Sequence, residues 1–275
     1  MARILLASPF FAEHWDAGHY WARALNRLGH SVLGWDYRLD ATPPPGDYDL
    51  ALVLKGSRRV SEMLHGPMVC YWPDQLGRGP AEEEDLSRYD RVYTMARPTP
   101  PGMIWLPGAW EPQVHGDRRN RKGAPVWDSI FIGTWTPYKE QMLRVIQPQH
   151  LFGNSWPARM SPGPATYLHR FAQLLADSRV AINVHRVPTA GLTRRFFEFI
   201  ACTFTISDRA PGVEEILGKD LAAKVTFGTA EEGRELLLKY LADPGERQRL
   251  WQAEQKAIAN YTYEHLARRI IEDLA

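Results

Sequence analysis

The stretch Val180–Ser207, VAINVHRVPTAGLTRRFFEFIACTFTIS, decides how this chain is read. Val180–Val184 is an apolar run of strand length, and Phe204–Ser207 is a second. Between them, Asn183-Val184-His185-Arg186 closes the first strand, Gly191 permits a tight turn, and Thr193 can cap a helix. Phe196–Ala201 is apolar nearly all round, the mark of a buried helix. Strand, loop, helix and strand in that order make a unit of parallel sheet. Arg194, Arg195 and Glu198 fall in the first turns of the helix. A helix N-terminus with arginines suits a diphosphate. A carboxylate beside them suits the vicinal hydroxyls of a ribose. A second reading of the spacing is an Arg194–Glu198 pair on a solvated face, and the flanking phenylalanines weigh against it.

The same alternation extends outward in both directions. Upstream, strands are expected at Ser129–Ile132 and His150–Phe152, with helices at Lys139–Ile146 and Tyr167–Ala176. Downstream, Glu231–Leu241, Gly245–Asn260 and Tyr263–Leu274 read as helices. Nearer the start, strands are expected at Ile4–Ala7, Ser31–Trp35, Leu50–Leu54, Met68–Trp72 and Arg91–Met95. A helix over His19–Leu28 stops at Gly29. A Pro/Gly-rich stretch, Arg97–Pro112, and a basic one holding Arg118, Arg119, Arg121 and Lys122 separate the two series. The expected domains are 1–114, 125–260, and a C-terminal helix, 261–275, returning to the first.

Composition narrows the class. The 275 residues are 44% hydrophobic with a formal net charge of +1, so no global charge points to nucleic acid or membrane. The two cysteines, Cys70 and Cys202, sit in apolar segments and read as buried thiols of a reducing compartment. MARILLASPFF lacks the features of a signal peptide, and no stretch has the length of a membrane span. The expectation is a cytoplasmic protein. In open parallel sheets ligands bind beyond the carboxyl ends of the strands. That directs attention to Ser8–His19, Gly133–Lys139, Gly153–Trp156, His185–Glu198 and Asp208–Glu215.

Several of these segments, in order, resemble one family. Tyr71-Trp72-Pro73-Asp74, Asp128–Thr134 (DSIFIGT), Phe152–Trp156 (FGNSW), the Arg-x-Phe-Glu of the opening stretch, and Tyr261-Thr262-Tyr263 followed by Arg268 are similar to the motifs of CgeB-like, spore-maturation-type glycosyltransferases. The resemblance is strong from residue 128 onward and weak before residue 68. It implies the GT-B fold, α/β with two Rossmann-like domains facing across a cleft. It also implies a hexosyltransferase-like enzyme that moves a sugar from a nucleotide-diphosphate donor, a UDP-sugar foremost, to a hydroxyl. Retention of configuration goes with it, and a diphosphate held by helix N-termini and basic side chains needs no metal. Glu198 would then hold the donor ribose. Gly133, Thr134, Arg194 and Arg195 would surround the phosphates with Thr193 and His185, and Lys139 would add charge. The broader retaining pattern has a further glutamate where this chain has Ala190.

Other candidates sit in the first half. Glu13-His14-Trp15-Asp16, with His19, follows the first strand, and His14 and Asp16 are candidate acceptor-side catalytic groups beside Arg195. Ordinary polar loop residues are the competing reading. Asp47-Tyr48-Asp49 is a D-x-D string in a loop entering a strand, where acidic residues commonly begin turns, and no His/Cys set has ligand spacing. Two rival functions stand beside the main one. Transfer to hydroxymethylated DNA bases is suggested by the basic loop, Arg58-Arg59 and the ten tryptophans. The other is a non-catalytic sugar-nucleotide-binding module.

Overall fold

The computed structural model describes residues 1–9, 11–13, 16–56, 58–72, 86–116, 125–186 and 191–274. His14, Pro73, Asp74, Ala190 and the basic run Arg118–Lys122 lie outside the described residues. The chain divides into two units, Met1–Pro107 with Thr262–Ala275, and Gly108–Tyr261.

The first unit is built on a six-stranded parallel sheet in the order β2-β1-β3-β4-β5-β6. Its strands are β1 (Arg3–Ser8), β2 (Ser31–Asp36), β3 (Leu50–Leu54), β4 (Met68–Trp72), β5 (Arg91–Thr94) and β6 (Ile104–Trp105). The central strands LALVL and MVCYW are buried along their whole length, because a parallel sheet covered on both faces leaves no side for polar residues. Cys70 and Cys202 are both buried thiols outside any disulfide, and burial pushes the Cys70 thiol up to about 12. Helix α1 (Gly18–Arg27) ends before Gly29, whose φ of +85° is the left-handed conformation a helix stop uses. A short helix, α2 (Arg58–Glu62), precedes β4. The C-terminal helix α11 (Tyr263–Glu272) is part of this unit. Tyr263 packs on Tyr20 and Trp21 at 5.3 and 5.5 Å between ring centroids, and Tyr93 donates to Asp273 at 2.8 Å.

The second unit begins at Gly108 and includes the short helix α3 (Pro112–His115), so this segment stands with the second unit rather than the first. Its parallel sheet has the order β11-β10-β9-β7-β8. The strands are β7 (Trp127–Ile132), β8 (His150–Phe152), β9 (Ser178–Asn183), β10 (Thr205–Asp208) and β11 (Thr226–Phe227). Between them run α4 (Pro137–Ile146), α5 (Leu168–Ala176), α6 (Arg194–Cys202), α7 (Val213–Leu217) and α8 (Lys219–Val225), and α9 (Ala230–Ala242) and α10 (Pro244–Ala257) close the unit. The strand order reverses at β7, with β8 on one side and β9 on the other. Sheets of this kind take ligands beyond the carboxyl ends of the strands at such a reversal, and here Gly133 and His185 follow β7 and β9. Among the described residues no helix is long and apolar enough to cross a membrane.

Candidate functional site

Helix α6 carries the densest chemistry of the second unit. Its N-terminus is closely approached by Gly108, whose amide donates to Leu192 O at 3.1 Å. A Cβ on Gly108 would lie 2.4 Å from Arg194 N, so only glycine lets the two backbones come this near. Thr193 occupies the cap position with extended dihedrals, but its hydroxyl makes no capping bond. The expected side-chain cap is absent.

Glu198 is 1% exposed, which rules out the solvated-face reading of the pair. Arg195 Nη1 donates to its Oε2 at 3.0 Å, Arg194 Nε stands 3.7 Å from Oε1, and His115 Nε2 is 3.9 Å from the same oxygen. Burial by itself would raise this carboxyl; Arg195, then Arg194 and His115, outweigh it and hold the carboxyl below its usual range. The closer partner is Arg195, not Arg194 as the four-residue spacing suggests. The cause is packing: the Arg195 guanidinium lies over the Phe171 ring at 4.2 Å and is thereby turned along the helix toward Glu198. The Glu198 oxygens face these three groups. The two arginines beside it are each about a quarter exposed, at 24% and 28%.

His115 was not visible as a site residue in the sequence. It is buried on α3, its Nδ1 within 3.0 Å of Glu111 N. Burial drives its pKa from 6.5 down to about 4, against the pull of Glu198. The unfolded state therefore takes up a proton that the folded state refuses as pH falls below 6.5, so stability falls with it. The His115 contribution to stability is expected to drop by about 2 kcal/mol between pH 7 and pH 5, at about 1.4 kcal/mol per unit, while Glu254, whose carboxyl burial raises well above its usual range, acts in the opposite sense. Urea unfolding of wild type and His115→Gln at the two values isolates it: the stability difference between the two proteins should change by about that amount.

Beyond β7, Gly133 O accepts the Trp156 indole N–H at 2.7 Å, and Gly133 N donates to Phe152 O at 2.9 Å. Thr134 is exposed, and its carbonyl accepts Lys139 Nζ at 3.1 Å. Thr136 caps α4 by accepting from Lys139 N. Lys139 is half-buried, and its pKa is lowered to about 8 by desolvation and then by Arg195, with Asp208 opposing. Beyond β9, His185 is buried: its backbone N–H donates to Asp208 Oδ1 at 3.0 Å, and its Nδ1 lies 2.6 Å from the same oxygen. Arg186 beside it is exposed. The structure thus gathers Lys139, Arg194, Arg195 and Arg186 around the start of α6 and the ends of β7 and β9, with Gly133 and Thr134 at the same edge. Tyr138, Arg186 and Asp208, which lie in the segments marked in the sequence but had no role assigned there, join the set, as does Phe171, which lay outside those segments.

In the first unit, Asp16 is 8% exposed and accepts from Ser8 Oγ and Gly18 N, both at 2.8 Å. These bonds hold Asp16 in the loop that leads into α1. His19 Nε2 lies 3.0 Å from Glu13 O. Asp49 Oδ2 accepts Arg3 N at 2.7 Å, at the amino ends of β1 and β3, the end of the sheet opposite to where ligands bind. Among the described residues no group of three His, Cys, Asp or Glu side chains could hold a metal ion.

Residues 136–272 match the family described as Glycosyl transferase-like. No curated protein matches the chain in sequence. Solved structures match it nearly end to end. The DNA modifying enzyme beta-glucosyltransferase, studied with and without uridine diphosphoglucose, is 10% identical, with 98% of each chain covered and a TM-score of 0.64. An alpha-glucosyltransferase in complex with UDP and a 13-mer DNA containing an HMU base is 12% identical, with 99% of this chain and 98% of its own covered, and a TM-score of 0.66. The T4 phage BGT in complex with UDP and Mn2+ is 11% identical, with 98% and 99% covered and a TM-score of 0.64. At these identities the likeness establishes the fold, two parallel-sheet Rossmann-like units of the GT-B type.

Proposed function

We propose that this chain, a glycosyltransferase whose residues 136–272 belong to the glycosyl transferase-like family, transfers glucose from UDP-glucose to a hydroxymethylated base in DNA. The observation that carries the donor half is the buried Glu198 holding Arg195 and Arg194 at the start of α6, with Lys139 in the first turn of α4. A departing UDP develops negative charge on its diphosphate. Prearranged guanidinium forks, an ammonium and helix amide groups stabilise that charge without reorganising. In this reading Glu198 is a positioning residue, and Gly133, Thr134 and His185 shape the walls around the diphosphate. UDP-glucose and a DNA acceptor are favoured because beta- and alpha-glucosyltransferases described with uridine diphosphoglucose and with DNA match the chain along its whole length. The CgeB-like order of motifs adds retention of the anomeric configuration.

Positive charge from side chains takes the place that a divalent cation would fill, so turnover is expected to survive EDTA. The assay is transfer of label from UDP-glucose to duplex DNA carrying hydroxymethylated bases, with unmodified DNA as control and with EDTA in a parallel arm. Label in the modified duplex alone, unchanged by EDTA, is the expected result. Binding of UDP-glucose with no release of UDP on any acceptor or in water would mean a binding module. Loss of turnover in EDTA, restored by Mn2+, would overturn the metal-free mechanism.

A further inference from the structure

Asp208 ends β10 at 1% exposure, and its carboxylate is surrounded by donors. His185 N donates to Oδ1 at 3.0 Å and to Oδ2 at 3.1 Å, His185 Nδ1 sits 2.6 Å from Oδ1, and the Tyr138 hydroxyl donates to Oδ2 at 3.3 Å. One residue earlier on β10, the Ser207 hydroxyl accepts Asn183 Nδ2 from the end of β9 at 2.9 Å and ties the same two strand ends together. A buried carboxylate costs free energy unless fully hydrogen-bonded, and this one spends its bonds on two particular residues. Tyr138 immediately precedes Lys139, and His185 immediately precedes Arg186.

We propose that Asp208 is a positioning residue of the donor site: through Tyr138 and His185 it fixes the backbone from which Lys139 and Arg186 project. This role rests on the donor reading. It joins α4, the loop after β9 and β10 through one carboxylate, so that cations from two separate chain segments keep a fixed spacing for a diphosphate. The charged groups acting on Lys139 are Arg195 from α6, Asp208 from β10 and Arg186 from the loop after β9. Desolvation and the two arginines lower its pKa and Asp208 raises it, so UDP affinity should fall as pH rises through about 8.

The sign of the effect separates positioning from bulk electrostatics. A carboxylate near an anion site repels the anion, so its neutralisation alone would tighten binding. Loss of positioning weakens it. Calorimetric titration with UDP, from about pH 6.5 to about pH 9.5 to span the Lys139 transition, is run on wild type, Asp208→Asn and Tyr138→Phe. Asp208→Asn is expected to bind on the order of tenfold more weakly at neutral pH, with the fall in affinity displaced to lower pH. Tyr138→Phe removes one hydrogen bond and no charge, so affinity should drop about threefold with the pH profile in place. Unchanged or tighter binding by Asp208→Asn, with an unmoved profile, overturns the proposal. If Asp208→Asn does not fold, Tyr138→Phe decides, and wild-type affinity in it overturns the proposal equally. Failure of the wild type to bind UDP at any pH is a separate outcome that sinks the donor reading itself.

Discussion

Arg195→Ala is expected to weaken UDP binding on the order of 10–100-fold and to cost about 3 kcal/mol of stability. The two effects have one origin. Arg195 makes the only bond to Glu198 near 3.0 Å among its three cationic or imidazole neighbours, and Glu198 is 1% exposed. Without it a buried carboxylate keeps Arg194 at 3.7 Å and a neutral His115, a poor substitute. The guanidinium also leaves the Phe171 face, where it stands at 4.2 Å. Arg195→Lys keeps the charge but loses the planar fork and the stacked contact, and is expected to lower kcat/KM at least about tenfold more than Arg194→Lys does. Calorimetry and urea unfolding on the alanine variant, and kinetics on the lysine pair, make the measurement. Equal effects in the two lysine variants would mean that the pairing seen at Glu198 does not set the roles of the arginines.

Gly153→Ala is expected to cost about 3 kcal/mol, from backbone strain and overpacking together. Gly153 has φ +140°, and a Cβ there would lie 2.0 Å from Gly133 O. That oxygen is backbone and cannot step aside as a side chain would, and it also accepts the Trp156 indole at 2.7 Å. The added methyl would therefore press on the turn that leads from β7 toward Lys139. A urea midpoint equal to wild type would show that the turn yields freely.

What the sequence disclosed and what it withheld follow from the range of each interaction. The long strands of the first unit were legible because LALVL and MVCYW are buried on both faces and need no partner to be recognised. The helix carrying Glu198 was legible from Phe196, Phe197, Phe199 and Ile200 around it. The short elements α2, β6, α3, α7, α8 and β11 were not, since two to seven residues carry no readable period. Within the site, Arg194, Arg195 and Glu198 announced themselves by local spacing, and Lys139 came from the family resemblance. His115 did not, because its neighbour Glu198 is far along the chain and only the fold brings them to 3.9 Å. Asp208 was marked only as the start of a segment beyond a strand's carboxyl end, with no partner assigned. Its bonds to Tyr138 and His185 depend on the adjacency of β10 to β9 and on where α4 starts, and neither can be read from one segment. The side-chain cap expected of Thr193 failed for the converse reason: the residue type fits, but the local geometry leaves its hydroxyl off the helix amides.

The central claim is that the diphosphate of a UDP-sugar sits at the start of α6. The most direct measurement is a crystal structure of the protein with UDP bound. Phosphate oxygens are expected within hydrogen-bond distance of Arg195, with Arg194 or Lys139 and the first amides of α6 completing the cradle. UDP bound with its phosphates away from all of these groups would contradict the claim.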